Sequence, residues 1–565
     1  MGNSRLPQAR MYFCLDADVL FEGLAVSGGV DSMALASLCS QIQRIPYDTL
    51  RSSLQADYNK NITGTPLSKA IKFQAFVVDH GVRKGSNLEA QAVSEILEAR
   101  DIPTKLLKID WLGQEKPADL PNFESLARKY RFQALGTACR DLGISSLFLA
   151  QHQDDQAETV MMRLINGHSM AGLTGIPKCT EIPECYGLYG VHESGGVNKA
   201  HKVWTRSVLG SNTMPTPVAP LEGESGGVKV YRPLLEFTKE SLIATCQEDG
   251  MKWFEDHTNK DPTVTMRNAI RHLYKNHALP ATLSKPALLE LSTMARIAKR
   301  ATLNVTNTWL RRSSVKLETS PGTLRVRFVN LGQYDRSRVE VDGKYAAAAL
   351  IRRIVMLVTP QEHVKLSSLL RAVERVFPEW FRNAEASPLS TTFTVAGLQF
   401  KFNSPPRLHR GYRLLEKCEW LVSRQPYKVT AALPRFEIPR NPKSLAPTDW
   451  SSWNLYDGRF WIRVQNLSNE VLVVRPFNKL DLAGVKRSSL WKGKRYKVQK
   501  LLSELAPGDI RWTLPAIATM ALDGKERLLA LPTLYVGVVD VEKLVKWQVR
   551  YKKVDMDVLT LSDIK

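Results

Sequence analysis

Gly23-Leu24-Ala25-Val26-Ser27-Gly28-Gly29-Val30-Asp31-Ser32 decides how the first half of this chain folds. The apolar run ending at Val26 reads as a buried strand, and Ser32–Ser40 continues with helical spacing, so the glycines make the turn between them. Two adjacent glycines let the backbone bend tightly and come close to an anion. Amides at the following helix N-terminus and the hydroxyls of Ser27 and Ser32 then act as donors, which points to the phosphates of ATP. Asp31 cannot donate to a phosphate; a carboxylate belongs there when Mg²⁺ lies between the two, because that hard cation takes both kinds of oxygen. The competing reading of Ser27–Ser32 is an ordinary glycine turn capped by serine.

The pattern repeats outward from this turn. Phe73–Val78, Leu106–Ile109 and Leu147–Ala150 read as strands, and Leu88–Arg100, Phe123–Leu142 and Asp155–Ile165 as the helices that follow them. This β/α alternation predicts a parallel sheet covered by helices, with ligands beyond the carboxyl ends of the strands. Stretches 45–70 and 178–228, rich in Gly, Ser, Pro and Asn, read as surface insertions. A long helix is expected from Pro286 to Arg312. Beyond it lies a mixture of strands (Leu324–Phe328, Thr391–Phe402, Phe460–Val474) and helices (Ala346–Val358, Leu366–Val376), with a Pro-rich linker near Pro434–Pro447. The expected division is therefore a catalytic domain over 1–285, a connecting helix and intermediate domain over 286–440, and a basic module over 441–565.

With 565 residues, a hydrophobic content of 44% and a formal net charge of +22, the chain can bury several cores and suits a polyanionic partner. No apolar run is long enough to span a bilayer, so no membrane partner is expected. Arg5 and Arg10, with no acid in residues 1–15, resemble a mitochondrial presequence, and the expected location is the matrix, otherwise the cytoplasm. Seven scattered cysteines without a C-x-x-C pair argue for free thiols in a reducing compartment; Cys179 and Cys185 read either as a metal pair or as unpaired thiols.

Gln151-His152-Gln153-Asp154-Asp155-Gln156-Ala157-Glu158-Thr159 follows the fourth strand. Asp155 and Glu158, three apart, share a helical face and are placed to hold a cation or an ammonium group together. Capping of the helix N-terminus is the other account of these acids, worth about 0.3–1 kcal/mol each. His152 reads as a proton relay or as a structural imidazole. Arg128 and Arg131 either meet an anion at the sheet edge or are solvated helix charges. Arg267 and Arg271, four apart and flanking Asn268, either reach RNA or form a buried ion pair.

Ser27–Ser32, Val78-Asp79-His80-Gly81-Val82-Arg83, Glu124–Phe132, His152–Thr159 and Gly172-Leu173-Thr174-Gly175-Ile176, followed by Arg232–Leu235, Asp256-His257-Thr258-Asn259 and Arg267–His272, together resemble the tRNA(Ile)-lysidine synthetase family. That family is a branch of the PP-loop ATP pyrophosphatases. The resemblance covers most of residues 20–275. It implies an α/β fold, with an N-terminal parallel-sheet PP-loop domain followed by mixed α/β tRNA-binding modules.

The implied reaction joins free L-lysine to C2 of the cytidine at the first anticodon position of tRNA(Ile) with a CAU anticodon. ATP first adenylates the C2 oxygen with loss of pyrophosphate; the lysine side-chain amine then displaces AMP. Ser27, Gly28, Gly29, Val30 and Ser32 would hold ATP, Asp31 would hold Mg²⁺, and Asp79 would line the nucleotide site or cap the next turn. Lysine is the free amine only about 0.04% of the time at pH 7, a handicap of roughly 4–5 kcal/mol, which Asp155 and Glu158 would answer by binding the ammonium and accepting its proton. Arg128 would take the lysine carboxylate. Arg267, Asn268 and Arg271 would meet tRNA.

Trp491-Lys492-Gly493-Lys494-Arg495-Tyr496-Lys497 faintly resembles the small C-terminal module of bacterial members, which helps to recognise the acceptor arm. Lys494, Arg495 and Lys497 would pair with phosphates while Trp491, Tyr496 and Trp512 stack on bases, or the stretch is a solvated basic face over core tryptophans. Gln151 stands where a second histidine is common, and 178–228 is longer than in typical bacterial members, which suggests a eukaryotic, fungal organellar form. The alternatives are another PP-loop tRNA-modifying enzyme such as a thiolase, against which the missing C-x-x-C counts, and a noncatalytic RNA-binding protein that keeps the nucleotide fold.

Overall fold

Strand β1, Leu20–Val26, pairs in parallel with β2, Ile71–Asp79, on one side and β4, Ser146–Phe148, on the other. The full sheet runs β3-β2-β1-β4-β8-β5, where β3 is Thr104–Lys108, β8 is Lys229–Tyr231 and β5, Cys179–Glu181, is its antiparallel edge. The structure, a computed structural model, describes residues 20–45, 71–82, 85–111, 120, 122–198, 219–255, 265–333, 341–381, 392–402, 419–440, 449–521 and 523–562. The expected insertion at 45–70 lies almost wholly outside them, as do Arg83, Asp256–Asn259, Cys14, Cys418 and the N-terminal segment.

Alternation along β2 sends Phe73, Ala75 and Val77 to one face and Phe76 to the other, so the sheet is buried on both sides. Helices α1, Val30–Arg44, α2, Ser86–Glu98, and α5, Lys239–Glu248, cover the first face through Met33, Val93 and Leu242. Helix α3, Phe123–Asp141, covers the second through Phe132 and Leu135. Chain order reverses between β1 and β4, and the crevice at their carboxyl ends is where this class of sheet binds ligands. Ser27–Ser32 and Gln151–Glu158 both start there. Helix α4, Gln153–Ile165, follows β4; α6, Met266–Asn276, packs on it through Ile270 against Val160.

The chain divides into two compact units, one from residues up to Glu193 with Gly226–Lys299, the other from Ser194–Ser225 with the chain from Arg300 onward. Helix α7, Lys285–Arg311, therefore starts in the first unit and ends in the second. Much of the 178–228 stretch is structured. Beyond β5, β6 (Gly196–Asn198) and β7 (Gly223–Ser225) complete a sheet of the second unit, β15-β16-β21-β7-β6, where β15 is Asn454–Tyr456 and β16 is Phe460–Asn466, and β7 lies parallel to β21 (Val545–Tyr551). Arg550 fastens this pairing by a 3.0 Å ion pair to Glu224, itself 2% exposed.

The second unit holds two further five-stranded sheets, one in the order β11 (Thr392–Val395), β12 (Leu398–Phe402), β13 (Trp420–Arg424), β10 (Thr323–Arg327), β9 (Ser314–Glu318) and one in the order β14 (Phe436–Ile438), β17 (Val471–Pro476), β18 (Pro515–Met520), β19 (Glu526–Leu531), β20 (Val536–Gly537). Its buried side chains, from Trp309 and Ile351 to Ile517 and Val549, form one continuous cluster. Helices α8, Gly343–Val355, and α9, Leu366–Val376, match the expected helical runs closely, and Thr392–Val395 with Leu398–Phe402 resolves the expected strand Thr391–Phe402 into a hairpin. Among the described residues no helix is long and apolar enough to cross a membrane.

Candidate active site

The loop after β1 needs its first glycine for two reasons. Gly28 has φ +84°, and a Cβ there would stand 2.8 Å from Val93 of α2. Gly29 needs neither freedom: its φ is −71°, and a Cβ would meet nothing closer than Ser27 Oγ at 3.8 Å. It is the N-cap of α1 and has no side-chain cap, so the space its missing side chain leaves lies directly over the helix N-terminus. Ser32 turns inward and ties the loop together. Its hydroxyl donates to Gly29 O (2.9 Å) and accepts from Ser27 N (3.2 Å).

Asp31, in the first turn of α1, leans toward His152 at the end of β4. His152 Nε2 lies 3.5 Å from Asp31 Oδ2 and 3.6 Å from Asp155 Oδ2. The imidazole is 1% exposed and is the N-cap of α4: Nδ1 accepts from Asp154 N at 3.2 Å, while His152 N donates to Asp155 Oδ2 at 3.0 Å. An accepting Nδ1 assigns the proton to Nε2, which faces the two carboxylates. Burial pushes the His152 pKa down, but the hydrogen bond to Asp31 and the charges of Asp155 and Asp31 outweigh it and leave it raised. Burial raises Asp31 in turn, and His152, Lys239 and Arg271 overcome that and hold it low, so it is a carboxylate at neutral pH. Asp31 Oδ1 is buried without a hydrogen-bond partner among the described residues, an acceptor left for something else.

Asp155 and Glu158 share the buried face of α4, as their spacing predicts. They meet the two arginines of α6. Arg271 Nε is 2.6 Å from Glu158 Oε1 and Arg271 Nη2 is 3.5 Å from Asp155 Oδ1; Arg267 Nε is 3.2 Å from Glu158 Oε2 and Arg267 Nη1 is 3.7 Å from Asp155 Oδ1. Burial and the neighbouring Asp155 charge raise Glu158, against the pull of both arginines. Asn268, between the arginines, is buried, and its backbone N–H donates to the hydroxyl of Thr265, the N-cap of α6. In this structure the two arginines form the ion-pair arrangement rather than projecting free. Asp154, in the first turn of α4, pairs with Lys285 at 2.8 Å.

Asp79 caps its own turn, accepting from Gly81 N (2.8 Å) and Ser86 Oγ (2.7 Å). Arg128 stands over the Phe132 ring at 4.8 Å and reaches Glu184 at 3.4 Å; Arg131 is over the same ring at 5.5 Å. Arg232, buried after β8, donates to the side-chain oxygen of Gln151, to Pro177 O (3.1 Å) and to Thr180 Oγ1 (3.0 Å). Burial and the Arg128 charge push its pKa down to about 10. In the sequence Arg232 stands within the Arg232–Leu235 motif with no role of its own, because its burial follows only from its place after β8 in the sheet. Cys179 is exposed and Cys185 buried, both free, and no cluster of metal-ligating side chains occurs among the described residues.

In the second unit, Lys494 and Arg495 spend donors on backbone: Lys494 Nζ on Val538 O (3.0 Å), Arg495 Nη2 on Ser488 O (2.9 Å). Lys497 is exposed. Of the three aromatics expected to stack on bases, Trp491 is buried at 2% in the second unit's core and Trp512 packs against that core, stacked on Phe477; only Tyr496, 78% exposed, in α10, Arg495–Glu504, faces solvent.

The PP-loop domain family matches residues 20–194 and 206–277, which bracket every group of the crevice. A probable tRNA(Ile)-lysidine synthase of Schizosaccharomyces pombe is 26% identical over 90% of this chain and 90% of its own length. The tRNA(Ile)-lysidine synthase of a Bradyrhizobium species (strain BTAi1) is 28% identical over 52% of this chain and 62% of its own length. Among solved structures, the U34-tRNA thiolase NcsA of Methanococcus maripaludis aligns over 50% of this chain and 74% of its own at 16% identity and a TM-score of 0.30, too low to bear on fold or activity. Residues 20–194 and 206–277 thus match the PP-loop domain family around the sheet crevice, and the chain is similar almost end to end to a fungal protein described as a probable tRNA(Ile)-lysidine synthase.

Proposed function

We propose that the protein ligates free L-lysine to C2 of the cytidine at the first anticodon position of tRNA(Ile), through an adenylated cytidine, releasing pyrophosphate and AMP. The observation that carries this reading is the joining of the glycine loop to the acid pair: one buried imidazole, His152, lies within 3.6 Å of both Asp31 and Asp155. A nucleotide site and a proton-accepting site thus share one crevice, as a two-step activation and displacement needs.

The open space over Gly29 and the uncapped first turn of α1 suit the β- and γ-phosphates that leave as pyrophosphate, with Ser27 as a further donor. The orphaned Asp31 Oδ1 fits Mg²⁺: one carboxylate oxygen beside phosphates is how this cation is usually held, and no all-protein cage is required. Bound there, the ion would supply charge neutralisation at the α-phosphate. Asp155 and Glu158 would receive the lysine ammonium, align it toward C2 and take its proton, with Arg128 on the lysine carboxylate. His152 Nε2–H fixes the orientation of Asp31 and Asp155.

Exposed Lys486, Arg487, Lys492, Lys497 and Lys500 around Tyr496, with Asp481 buried against Arg475, support a phosphate-binding face for tRNA in the second unit. The mitochondrial matrix suits both the basic charge and a eukaryotic member of this family. The test is incorporation of labelled lysine into unmodified tRNA(Ile) transcript by the purified full chain. Label should enter only with ATP and Mg²⁺ and should appear as a lysine-bearing cytidine on nucleoside mass spectrometry; tRNA bound without any incorporation would leave only an RNA-binding protein.

A further inference from the structure

We infer that Arg267 and Arg271 hold the acid pair closed, and that RNA phosphate must draw at least one of them away before an ammonium group can enter. The inference rests on the reading above that Asp155 and Glu158 receive the amine.

The acids are already occupied. Asp155 Oδ2 accepts from His152 N, Asp155 Oδ1 faces both guanidinium groups, and each oxygen of Glu158 faces one of them. Two carboxylates against two guanidinium groups make a neutral quartet, so an added ammonium would leave it with an excess positive charge in a largely buried place. Release of one arginine restores the balance.

The quartet is also built to open outward. The side chains of Asp155 and Glu158 are 10% and 5% exposed, whereas those of both arginines are 35% exposed. A molecule arriving from solvent meets guanidinium first. A cation is repelled there and a polyanion attracted, which sets an order: RNA before amine. The pairing is loose as well. Arg271 Nε makes one short contact with Glu158, but the two contacts to Asp155 are 3.5 and 3.7 Å, and buried Glu158 Oε2 finds no hydrogen-bond geometry with Arg267 at 3.2 Å. A guanidinium held this way keeps donors for the planar, two-pronged contact that phosphate offers. Arg267 and Arg271 are thus positioning residues with two alternative anionic partners, and lysine gains its site only once the nucleotide to be modified is at hand.

The coupling must be reciprocal, so it can be read from lysine binding alone. Calorimetric titration of free lysine into the full chain without ATP is run with and without saturating unmodified tRNA(Ile) transcript, on wild type and on Arg271→Gln. RNA should lower the wild-type Kd for lysine at least tenfold; Arg271→Gln should bind lysine more tightly than wild type in the absence of RNA, with RNA then adding less than twofold. A merely structural arginine would show weaker lysine binding in the variant with or without RNA. Equal wild-type Kd values with and without RNA overturn the gate and leave the proposed reaction standing. Lysine undetectable in all four titrations overturns the assignment of the acids to the amine, and the gate with it. Should Arg271→Gln fail to fold, the wild-type pair decides, and Arg267→Gln repeats the variant arm.

Discussion

Glu22 offers a stability test that is independent of any ligand. It sits in β1 with its side chain inside the first unit, 1% exposed, against Ser146, and its Oε2 has no hydrogen-bond partner among the described residues. Burial, partly offset by the Ser146 hydroxyl, pushes its pKa up to about 7 from an ordinary 4.5. The sign follows from proton linkage. Between pH 4.5 and 7 the unfolded chain has released this proton and the folded chain has kept it, so stability falls as pH rises through that window and levels off above it. The 2.5-unit gap between those two values corresponds to a loss of about 3 kcal/mol. Glu22→Gln keeps a neutral group of the same shape beside Ser146 and removes the ionisation. It should be close to wild type at pH 5 and more stable by about 2–3 kcal/mol at pH 8. Because two units unfold, the readout is local: hydrogen-exchange protection of β1 and β2 amides in the full chain at both pH values. A Gln-minus-wild-type difference that is the same at pH 5 and pH 8 would refute the reasoning, since only ionisation makes it grow.

The two loop glycines should separate folding from ligand binding: Gly28→Ala, at φ +84° and facing Val93 at 2.8 Å, should cost about 2 kcal/mol or more by thermal unfolding, whereas Gly29→Ala should cost less than about 1 kcal/mol yet weaken ATP binding at least tenfold by equilibrium dialysis. Asp31→Asn should slow ATP-dependent pyrophosphate release at least about 100-fold while tRNA retention on filters stays within threefold, because the basic face is untouched. Lys497→Ala, at an exposed position, should flatten the log–log salt dependence of tRNA binding by about one unit of slope, and an unchanged slope would remove that side chain from the phosphate contacts.

What the sequence made legible was local. The apolar run into Ser27-Gly28-Gly29 fixes a strand, a tight turn and a helix within a few residues, and Leu366–Val376 is one helix because its apolar residues keep a helical period throughout. The three-residue strands inside 178–228 were not legible: Gly223 becomes a strand residue by pairing with Asn198 on one side and Tyr551 on the other, neither of them its neighbour in sequence. Trp491 misleads for a related reason. Cations on both sides suggest an exposed platform, yet the ring is buried in the same core as Val498, Leu501 and Leu502 of the helix that follows, and the cations are what remains outside.

The same limit applies to the site, with more consequence. Spacing alone shows that Asp155 and Glu158 share one face and Arg267 and Arg271 another, but not that the two faces meet across 113 residues of chain. Read separately, the acids look ready for an amine and the arginines for RNA. Packed together, each pair blocks the other, and either substrate can engage fully only by disturbing the contact that the other needs broken. If both sequence-based roles hold, the protein cannot bind amine and RNA independently, and that dependence would keep an abundant free amino acid from occupying the acid pair before there is a base to receive it.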